Sequence, residues 1–215
     1  MEAIELITTA KKFIGYLEKE SDKNLTDFRA NAGDKNFTWF SEVYSKLMRY
    51  NVQGAYWCAI YVSIMFYIAS GKNFYKAKAA LCGNLFASCT AGAGRFRKAG
   101  RLHKNPHPGD VIFFTDGKRI CHTGIVTEVD KERVYTMEGN TSSDPGIVRN
   151  GGSVNDKNYL LTNNRIYGYG RPVYDAWKQT QILNNMGTWM IGMITFAAAV
   201  GFIFLCWYMA NNTHE

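Results

Sequence analysis

A cysteine, a histidine and a polar side chain that could orient the histidine occur in this sequence at positions suited to thiol-dependent hydrolysis. Cys58 lies near the start of an apolar run, and a helix N-terminus there would stabilise its thiolate. His122 opens a later apolar segment, and Glu138 and Asn140 end the next one. If these two segments pair as a hairpin, either Glu138 or Asn140 would lie beside His122 and orient its imidazole. A cysteine, a histidine and an orienting group together would support nucleophilic catalysis.

Each of these residues also has an ordinary structural interpretation, since a free cysteine is usually a small buried hydrophobe. The cysteines are odd in number, irregularly spaced and without a C-x-x-C pair, which disfavours a disulfide framework or a zinc site. They are Cys58, Cys82, Cys89, Cys121 and Cys206. We expect free thiols in a reducing compartment, with a bridge between Cys82 and Cys89 as the alternative.

The elements around these residues are predicted to be helices followed by short strands. Residues 3–17 have apolar positions at near-helical spacing, and residues 54–71 form an apolar run whose length favours a buried helix. Short apolar segments separated by turn sequences then predict strands. These strands cover residues 111–114, 122–129, 133–138 and 166–173. Helices followed by a run of strands indicate an α+β fold rather than alternating βαβ units.

The carboxyl-terminal part of the chain has a different character. Residues 184–213 contain no charged side chain, and residues 189–210 would cross a hydrocarbon layer of about 30 Å as a helix. Trp189 and Trp207 lie near the two ends, where interfacial aromatic residues are common. The amino terminus lacks the basic and apolar regions of a secretory signal. We therefore predict a single-pass, C-terminal tail anchor with a cytoplasmic catalytic domain, a buried core helix being the alternative.

Composition and charge limit the classes of partner. Hydrophobic residues make up 47% of the 215 residues and charged residues 20%, which excludes a disordered chain. The formal net charge of +7 favours an anionic partner, which nucleic acid, anionic lipid or an acidic wall polymer would supply. The charges are scattered and no nucleic-acid-binding motif is present, so we expect no nucleic-acid partner.

Four motifs occur in the order that is found in a known family. They are Tyr56-Trp57-Cys58-Ala59-Ile60-Tyr61-Val62-Ser63, Pro108-Gly109-Asp110-Val111-Ile112-Phe113-Phe114, His122-Thr123-Gly124-Ile125-Val126 and Glu138-Gly139-Asn140. Together they resemble the CHAP family, the cysteine, histidine-dependent amidohydrolases/peptidases of the papain-like superfamily. The pattern is similar to the CHAP domains of lysins from phages and prophages of Gram-positive hosts.

The resemblance implies a papain-like CHAP fold, with N-terminal helices packed on a small antiparallel sheet. Combined with the apolar segment, it predicts four parts of the chain. They are a catalytic domain at residues 1–178, a juxtamembrane linker at 179–188, a transmembrane helix at 189–210 and a short tail at 211–215.

The resemblance also implies a reaction and a role for each site residue. Family members cleave peptidoglycan, either at the amide that joins muramic acid to the stem peptide or within the stem or cross-bridge. Cys58 matches the nucleophile, His122 the general base and Glu138 the residue that orients the histidine. Asn140 matches a supporting polar residue. Gln53, five residues before Cys58, resembles the oxyanion-hole glutamine of papain-like enzymes.

No metal or other cofactor is expected at this site. Some family members carry calcium in an aspartate-rich loop before the cysteine, and residues 51–54 lack those acids. Several aromatic and basic side chains are candidates for lining a substrate groove, with packing in the core or surface solubility as an equal alternative. They are Tyr44, Tyr50, Tyr56, Trp57 and residues 95–98.

Two other classes of function share some of these features. Membrane-anchored thiol acyltransferases and phospholipases of the lecithin retinol acyltransferase kind belong to the same superfamily, but in them the histidine precedes the cysteine. The other class is an anchored wall-binding module without activity.

The predicted partners are peptidoglycan and, through residues 189–210, a lipid membrane. A phage lysin acting with a holin, a bacterial wall-remodelling enzyme or toxin, and a virion component all remain open.

Overall fold

Five helices precede six strands in residues 1–174, the part of the chain that the computed structural model describes. The helices are α1 (Ala3–Lys11), α2 (Trp39–Met48), α3 (Cys58–Ala69), α4 (Phe74–Ala80) and α5 (Cys89–Lys98). The strands are β1 (Leu102–His103), β2 (Val111–Thr115), β3 (Ile120–Val129), β4 (Arg133–Thr141), β5 (Ser153–Leu160) and β6 (Ile166–Gly170). This order confirms the predicted α+β class.

The six strands form one sheet in the order β1-β6-β2-β3-β4-β5, with every neighbouring pair antiparallel. Two hairpins at its centre pair β2 with β3 and β3 with β4, with Phe114 opposite His122 and Ile125 opposite Met137. The β3–β4 pairing is the one that the turn sequence predicted. It brings the end of β4 back towards the start of β3.

Helix α3 lies at the centre of the hydrophobic core. Its residues from Cys58 to Phe66 are all buried, which explains why its sequence has no polar face. The helix packs against β3 and β4 and against the other four helices. At Gly139 in β4, an added Cβ would lie only 2.6 Å from the Cβ of Tyr61. Glycine at this position therefore lets α3 lie directly on the sheet.

The Pro108-Gly109-Asp110 motif joins two parts of the fold and carries no catalytic group. Gly109 adopts a φ of +89°, and the buried Asp110 accepts a hydrogen bond from the backbone N–H of His107 at 2.9 Å. The Asp110 carboxylate also accepts two hydrogen bonds from the guanidinium of Arg171, at 3.1 and 3.0 Å. These contacts tie the start of β2 to the segment that follows β6.

Three predicted elements have different ends in the structure. The first helix ends at Lys11 rather than at residue 17, and Gly15 in the following turn has a φ of +81°. The apolar run at 54–71 becomes helical only at Cys58, because Gly54 has a φ of +80° and the chain turns there. The last strand ends at Gly170, two residues before a proline, which cannot donate to the ladder.

The predicted transmembrane helix at 189–210, with its linker and tail, lies outside the described residues. Within residues 1–174, no helix has the length and hydrophobicity needed to cross a bilayer.

Candidate active site

Cys58 is the first residue of α3, as the position of the apolar run predicted. Its side chain is buried, and no acidic residue lies in the first turn of the helix. The positive end of the helix dipole and the free N–H groups of the first turn therefore favour a thiolate here. The preceding residue, Trp57, donates a hydrogen bond from Nε1 to Glu18 at 2.8 Å and stacks on Phe40. These two contacts fix the position from which α3 starts.

The imidazole of His122 is held by Glu138. Nε2 of His122 lies 2.9 Å from Oε2 of Glu138, and both side chains are fully buried. The carboxylate also accepts hydrogen bonds from the hydroxyl groups of Thr136, at 2.6 Å, and Tyr159, at 3.1 Å. Because an ionised carboxylate only accepts, Nε2 must carry the proton of the imidazole.

This assignment leaves Nδ1 of His122 for the thiol. Nδ1 is buried and has no hydrogen-bond partner within residues 1–174, so it is free to exchange a proton with the thiol. Cys58 and His122 are close enough for the charge of each to shift the pKa of the other. The ring of Phe114 packs nearly parallel to the imidazole, with the ring centroids 6.0 Å apart, and restricts its rotation. The imidazole thus lies between the thiol and the carboxylate.

The electrostatic environment favours a thiolate–imidazolium pair. A hydrogen bond with Cys89 lowers the pKa of Cys58 well below its ordinary value. Burial opposes that shift, and the charge of His122 lowers the pKa further. Burial also lowers the pKa of His122, but its interactions with Cys58 and Glu138 outweigh burial and raise that pKa to about 10. Between these two pKa values, Cys58 is ionised and His122 is protonated.

A second thiol lies against the first. Sγ of Cys89 is 3.5 Å from Sγ of Cys58, and Cys89 is the first residue of α5. The hydrogen bond with Cys58, burial and the negative charge of Cys58 all raise the pKa of Cys89, so Cys89 stays a thiol and donates. The four described cysteines are free, as expected, and the alternative bridge between Cys82 and Cys89 is not formed.

The glycine two residues after His122 makes room for the carboxylate. An added Cβ at Gly124 would lie 2.5 Å from Cγ of Glu138 and 3.0 Å from the carbonyl oxygen of Met137. The His122-Thr123-Gly124 motif therefore supplies both the imidazole and the space for the residue that holds it. Thr123 in the same motif hydrogen-bonds the carbonyl of Ile112 and strengthens the β2–β3 hairpin.

Asn140 does not contact His122 and instead supports the end of β4. It has a φ of +56°, and its amide donates to Oδ1 of Asn36 at 3.2 Å and accepts from the backbone of Gly152 at 3.3 Å. Of the two residues that the hairpin argument left open, Glu138 is the one beside the imidazole. The supporting role that the resemblance implies for Asn140 remains a prediction.

The carboxamide of Gln53 is paired with the backbone of Thr38. Its Oε1 accepts from the Thr38 N–H and its Nε2 donates to the Thr38 carbonyl, both at 3.0 Å. Thr38 caps α2, so Gln53 stabilises the start of that helix. Nε2 carries two hydrogens and Thr38 takes one. The second hydrogen of Nε2 is the one that Gln53 would donate to the oxyanion in its predicted role.

The aromatic and basic candidates for the groove fall into two groups. Trp57 and Tyr44 are core residues, which is the packing alternative that the sequence left open for them. Tyr50 and Tyr56 are exposed to 50% and 57%. Arg95 donates to the backbone carbonyls that precede α5, which makes it a structural residue.

No group of three or more His, Cys, Asp and Glu side chains in residues 1–174 could hold a metal ion. The absence of a cofactor stays a prediction.

Sequence reasoning missed three members of the site. Thr136 lies two residues before Glu138 on the same strand, so the period of two would have placed both side chains on one face. Tyr159 comes from β5, whose polar sequence gave no strand prediction. Cys89 comes from α5, and nothing near Cys89 in the sequence indicates its contact with Cys58.

A thiol at a helix start, an imidazole and a buried carboxylate on an antiparallel sheet define the plan of a cysteine-dependent hydrolase. Residues 49–140, which contain all three side chains, match the family model of the CHAP domain. The predicted resemblance to this family of cysteine, histidine-dependent amidohydrolases and peptidases is therefore confirmed for that segment.

Two other comparisons accompany this match. The chain is similar to the solved structure described as "The crystal structure of Ly7917", with 12% sequence identity and a TM-score of 0.45. The similarity covers 80% of this chain and 62% of that one, so the chain spans less than two thirds of its length. No curated protein matches.

Proposed function

We propose that this protein is a peptidoglycan hydrolase that cleaves an amide bond of the bacterial cell wall through Cys58. The bond is either the N-acetylmuramoyl-L-alanine amide or a peptide bond in the stem or cross-bridge. The observation that supports this proposal is the buried contact of His122 with Glu138 inside the CHAP segment, with Cys58 as its neighbour. The net charge of +7 also suits an anionic wall.

The reaction begins with the ion pair of Cys58 and His122. The thiolate attacks the carbonyl carbon of the amide, and the carbonyl oxygen becomes an oxyanion. His122 then gives its proton to the leaving amine, and an acyl-enzyme remains on Cys58. Neutral His122 next takes a proton from water, which attacks the thioester and frees the carboxylate and the thiolate.

The oxyanion needs hydrogen-bond donors at the start of α3. The backbone N–H of Cys58 belongs to the first turn, where helix N–H groups have no intrahelical acceptor. We assign the second donor to the amide of Gln53. Loss of one such donor typically lowers kcat by about 10²–10³. Gln53→Ala should therefore lower kcat by that factor, whereas a purely structural residue would change the melting temperature and leave kcat unchanged.

The experiment measures turbidity loss and newly released groups on purified Gram-positive peptidoglycan with the full chain. Cys58→Ala is the inactive comparison, and Cys82→Ala is the matched control, because Cys82 is a half-buried thiol outside the site. We expect lysis by the wild type and by Cys82→Ala but not by Cys58→Ala. Equal lysis by the wild type and Cys58→Ala, or no cleavage of several wall types by the folded protein, would refute the proposal.

The new amino termini identify the bond. A muramoyl-alanine amidase releases the amino group of L-alanine, whereas an endopeptidase releases that of a later residue of the stem or of the cross-bridge.

We further propose that residues 189–210 hold the enzyme on a lipid membrane, with the catalytic domain cytoplasmic before release or carried in a virion. The support is the uncharged sequence from 184 to 213. The full chain should stay with the membrane pellet after high-salt and alkaline washes, and a chain with two lysines inserted in this segment should not. A full chain that washes off would contradict the anchor.

Phage origin and a holin partner would be tested by looking for the protein in virions and in holin pull-downs.

A further inference from the structure

The second thiol of the site forms and breaks no bond in amide hydrolysis, although its hydrogen bond helps to keep Cys58 ionised. Attack by Cys58 and proton transfer by His122 need one thiol and one imidazole. Cys89 nevertheless lies with its sulfur 3.5 Å from the sulfur of Cys58. That distance is close to van der Waals contact, and a disulfide would require the two atoms to approach to about 2.0 Å.

The two helices that carry these thiols are firmly attached to each other. Ser63 of α3 accepts a hydrogen bond from the N–H of Phe86 at 2.9 Å and donates to its carbonyl at 2.7 Å. Phe86 lies just before α5, and an added Cβ at Gly92 of that helix would lie 2.7 Å from the Phe86 ring. The segment that leads to Cys89 is therefore held on α3, and the contact between the two thiols follows from packing.

We propose that Cys58 and Cys89 form a redox modification site, at which a hydroperoxide converts the nucleophile into a reversible Cys58–Cys89 disulfide. The oxidised enzyme has no free nucleophile and is inactive. Reduction by a dithiol restores it.

The chemistry proceeds in two balanced steps. The Cys58 thiolate attacks one oxygen of hydrogen peroxide, an S–O bond forms and the O–O bond breaks. The hydroxide that leaves takes the proton of His122 and becomes water. The sulfur of Cys89 then attacks the sulfur of Cys58, an S–S bond forms, and the S–O bond breaks. The hydroxide departs with the Cys89 proton as a second water, so two thiols are oxidised and one peroxide is reduced.

Cys89 is the thiol that is placed for the second step. Cys121 is half-buried, and its sulfur accepts a weak hydrogen bond from the Arg165 guanidinium at 3.8 Å. Cys82 is half-buried as well, and burial raises the pKa of its thiol. The lowered pKa of Cys58 makes it the thiol that reacts with peroxide, since the thiolate is the reactive form.

The test oxidises the fully reduced full-length protein with increasing hydrogen peroxide and maps its thiols by mass spectrometry under non-reducing conditions. We expect a peptide pair joined through Cys58 and Cys89, with the loss of two hydrogens from the intact mass. Wall hydrolysis should fall to the level of Cys58→Ala and return on treatment with dithiothreitol. The mass measurement does not depend on activity, so the disulfide is tested even if the proposed hydrolase function fails.

Cys89→Ser keeps a hydroxyl donor beside Cys58 but removes the resolving thiol. In this variant Cys58 should gain two or three oxygens, and dithiothreitol should not reverse the change. Cys121→Ser and Cys82→Ser are the controls and should behave as the wild type. Over-oxidation of Cys58 in the wild type without a Cys58–Cys89 link would overturn the proposal, and so would a link from Cys58 to Cys121 or Cys82. If Cys89→Ser does not fold, the peptide map of the oxidised wild type still shows whether the Cys58–Cys89 disulfide forms.

Discussion

The imidazole of His122 is fixed on the side away from the thiol, where Oε2 of Glu138 lies 2.9 Å from Nε2. Both groups are fully buried, so neither charge is screened by water. The carboxylate thereby sets the tautomer of the neutral imidazole and stabilises the imidazolium. Glu138 acts through His122 and is a positioning residue of the proposed hydrolase.

Glu138→Gln keeps the shape of the side chain and removes its charge. We expect kcat on peptidoglycan to fall by roughly 10²–10⁴, because the imidazolium loses its partner and the tautomer is no longer enforced. The alkaline limit of the pH profile, which is the pH above which activity is lost, should also move to lower pH. The reason is that Glu138 helps to raise the pKa of His122. An unchanged alkaline limit would contradict this role and leave Glu138 as a packing residue.

The pH profile of the wild type follows from the two shifted pKa values. The pKa of Cys58 is lowered, so the thiolate, and with it the activity, should persist below the ordinary pKa of a thiol. The pKa of His122 is raised to about 10, so activity should be lost as the pH rises through about 10, where the imidazolium loses its proton. Rates on a soluble wall fragment, measured across this range, would check both limits. A rate that begins only near the ordinary thiol pKa would contradict the ion pair.

Cys89→Ala should move only the acidic limit of that profile. The hydrogen bond from Cys89 is the largest cause that lowers the pKa of Cys58. Its loss should shift the acidic limit to higher pH and leave the alkaline limit near that of the wild type. Cys89→Ser, which retains a donor, is the matched control and should shift less. If both variants had the same acidic limit as the wild type, Cys89 would not be stabilising the thiolate of Cys58.

The catalytic plan could be derived from the sequence because it depends on local patterns. A long apolar run with a cysteine near its start predicts a buried helix with that residue in the first turn, and α3 begins at Cys58. Turn sequences between short apolar segments predict a hairpin, and the β3–β4 pairing brings Glu138 to His122. The pattern did not separate Glu138 from Asn140, because both lie near the end of the same strand and only the αL conformation of Asn140 directs its side chain elsewhere.

The missing parts of the site depend on packing between distant segments. Helix α5 has two glycines and a single large apolar side chain, Phe96, so its sequence indicates neither a helix nor the contact of Cys89 with Cys58. Burial alternates along β5, but one buried position is Lys157, whose ammonium donates to backbone carbonyls. The sequence of the strand therefore lacks the apolar–polar alternation that predicts a half-buried strand. The sequence therefore does not indicate that Tyr159 of this strand contacts Glu138.

Tyr159→Phe tests whether the second hydrogen bond to Oε2 of Glu138 weakens the contact of the carboxylate with His122. Loss of the hydroxyl should make Glu138 a stronger partner for the imidazolium, so the alkaline limit should move to higher pH, opposite to its shift in Glu138→Gln. The free energy of unfolding should fall by about 1–3 kcal/mol, because a hydrogen bond to a buried charge is lost. Chemical denaturation and the pH profile would measure the two effects.

The matched control for that variant is Tyr135→Phe. Tyr135 also donates to a carboxylate, Oδ2 of Asp130 at 2.9 Å, but this pair is exposed on the surface. We expect no change in the pH profile and little change in stability. A shift of the alkaline limit in both variants would show that the effect of Tyr159→Phe is not specific to Glu138.

Gly124→Ala tests whether the close approach of β3 to Glu138 is needed for the site. The added Cβ would lie 2.5 Å from Cγ of Glu138, so that side chain must move away from His122. We expect a destabilisation of about 1–3 kcal/mol from overcrowding, together with a loss of kcat and a lower alkaline limit. Gly94→Ala is the control, since its Cβ would meet nothing within 4 Å and alanine in a helix should add about 0.5–1 kcal/mol of stability. Wild-type kcat and pH limits in Gly124→Ala would mean that Glu138 tolerates displacement and does not position His122.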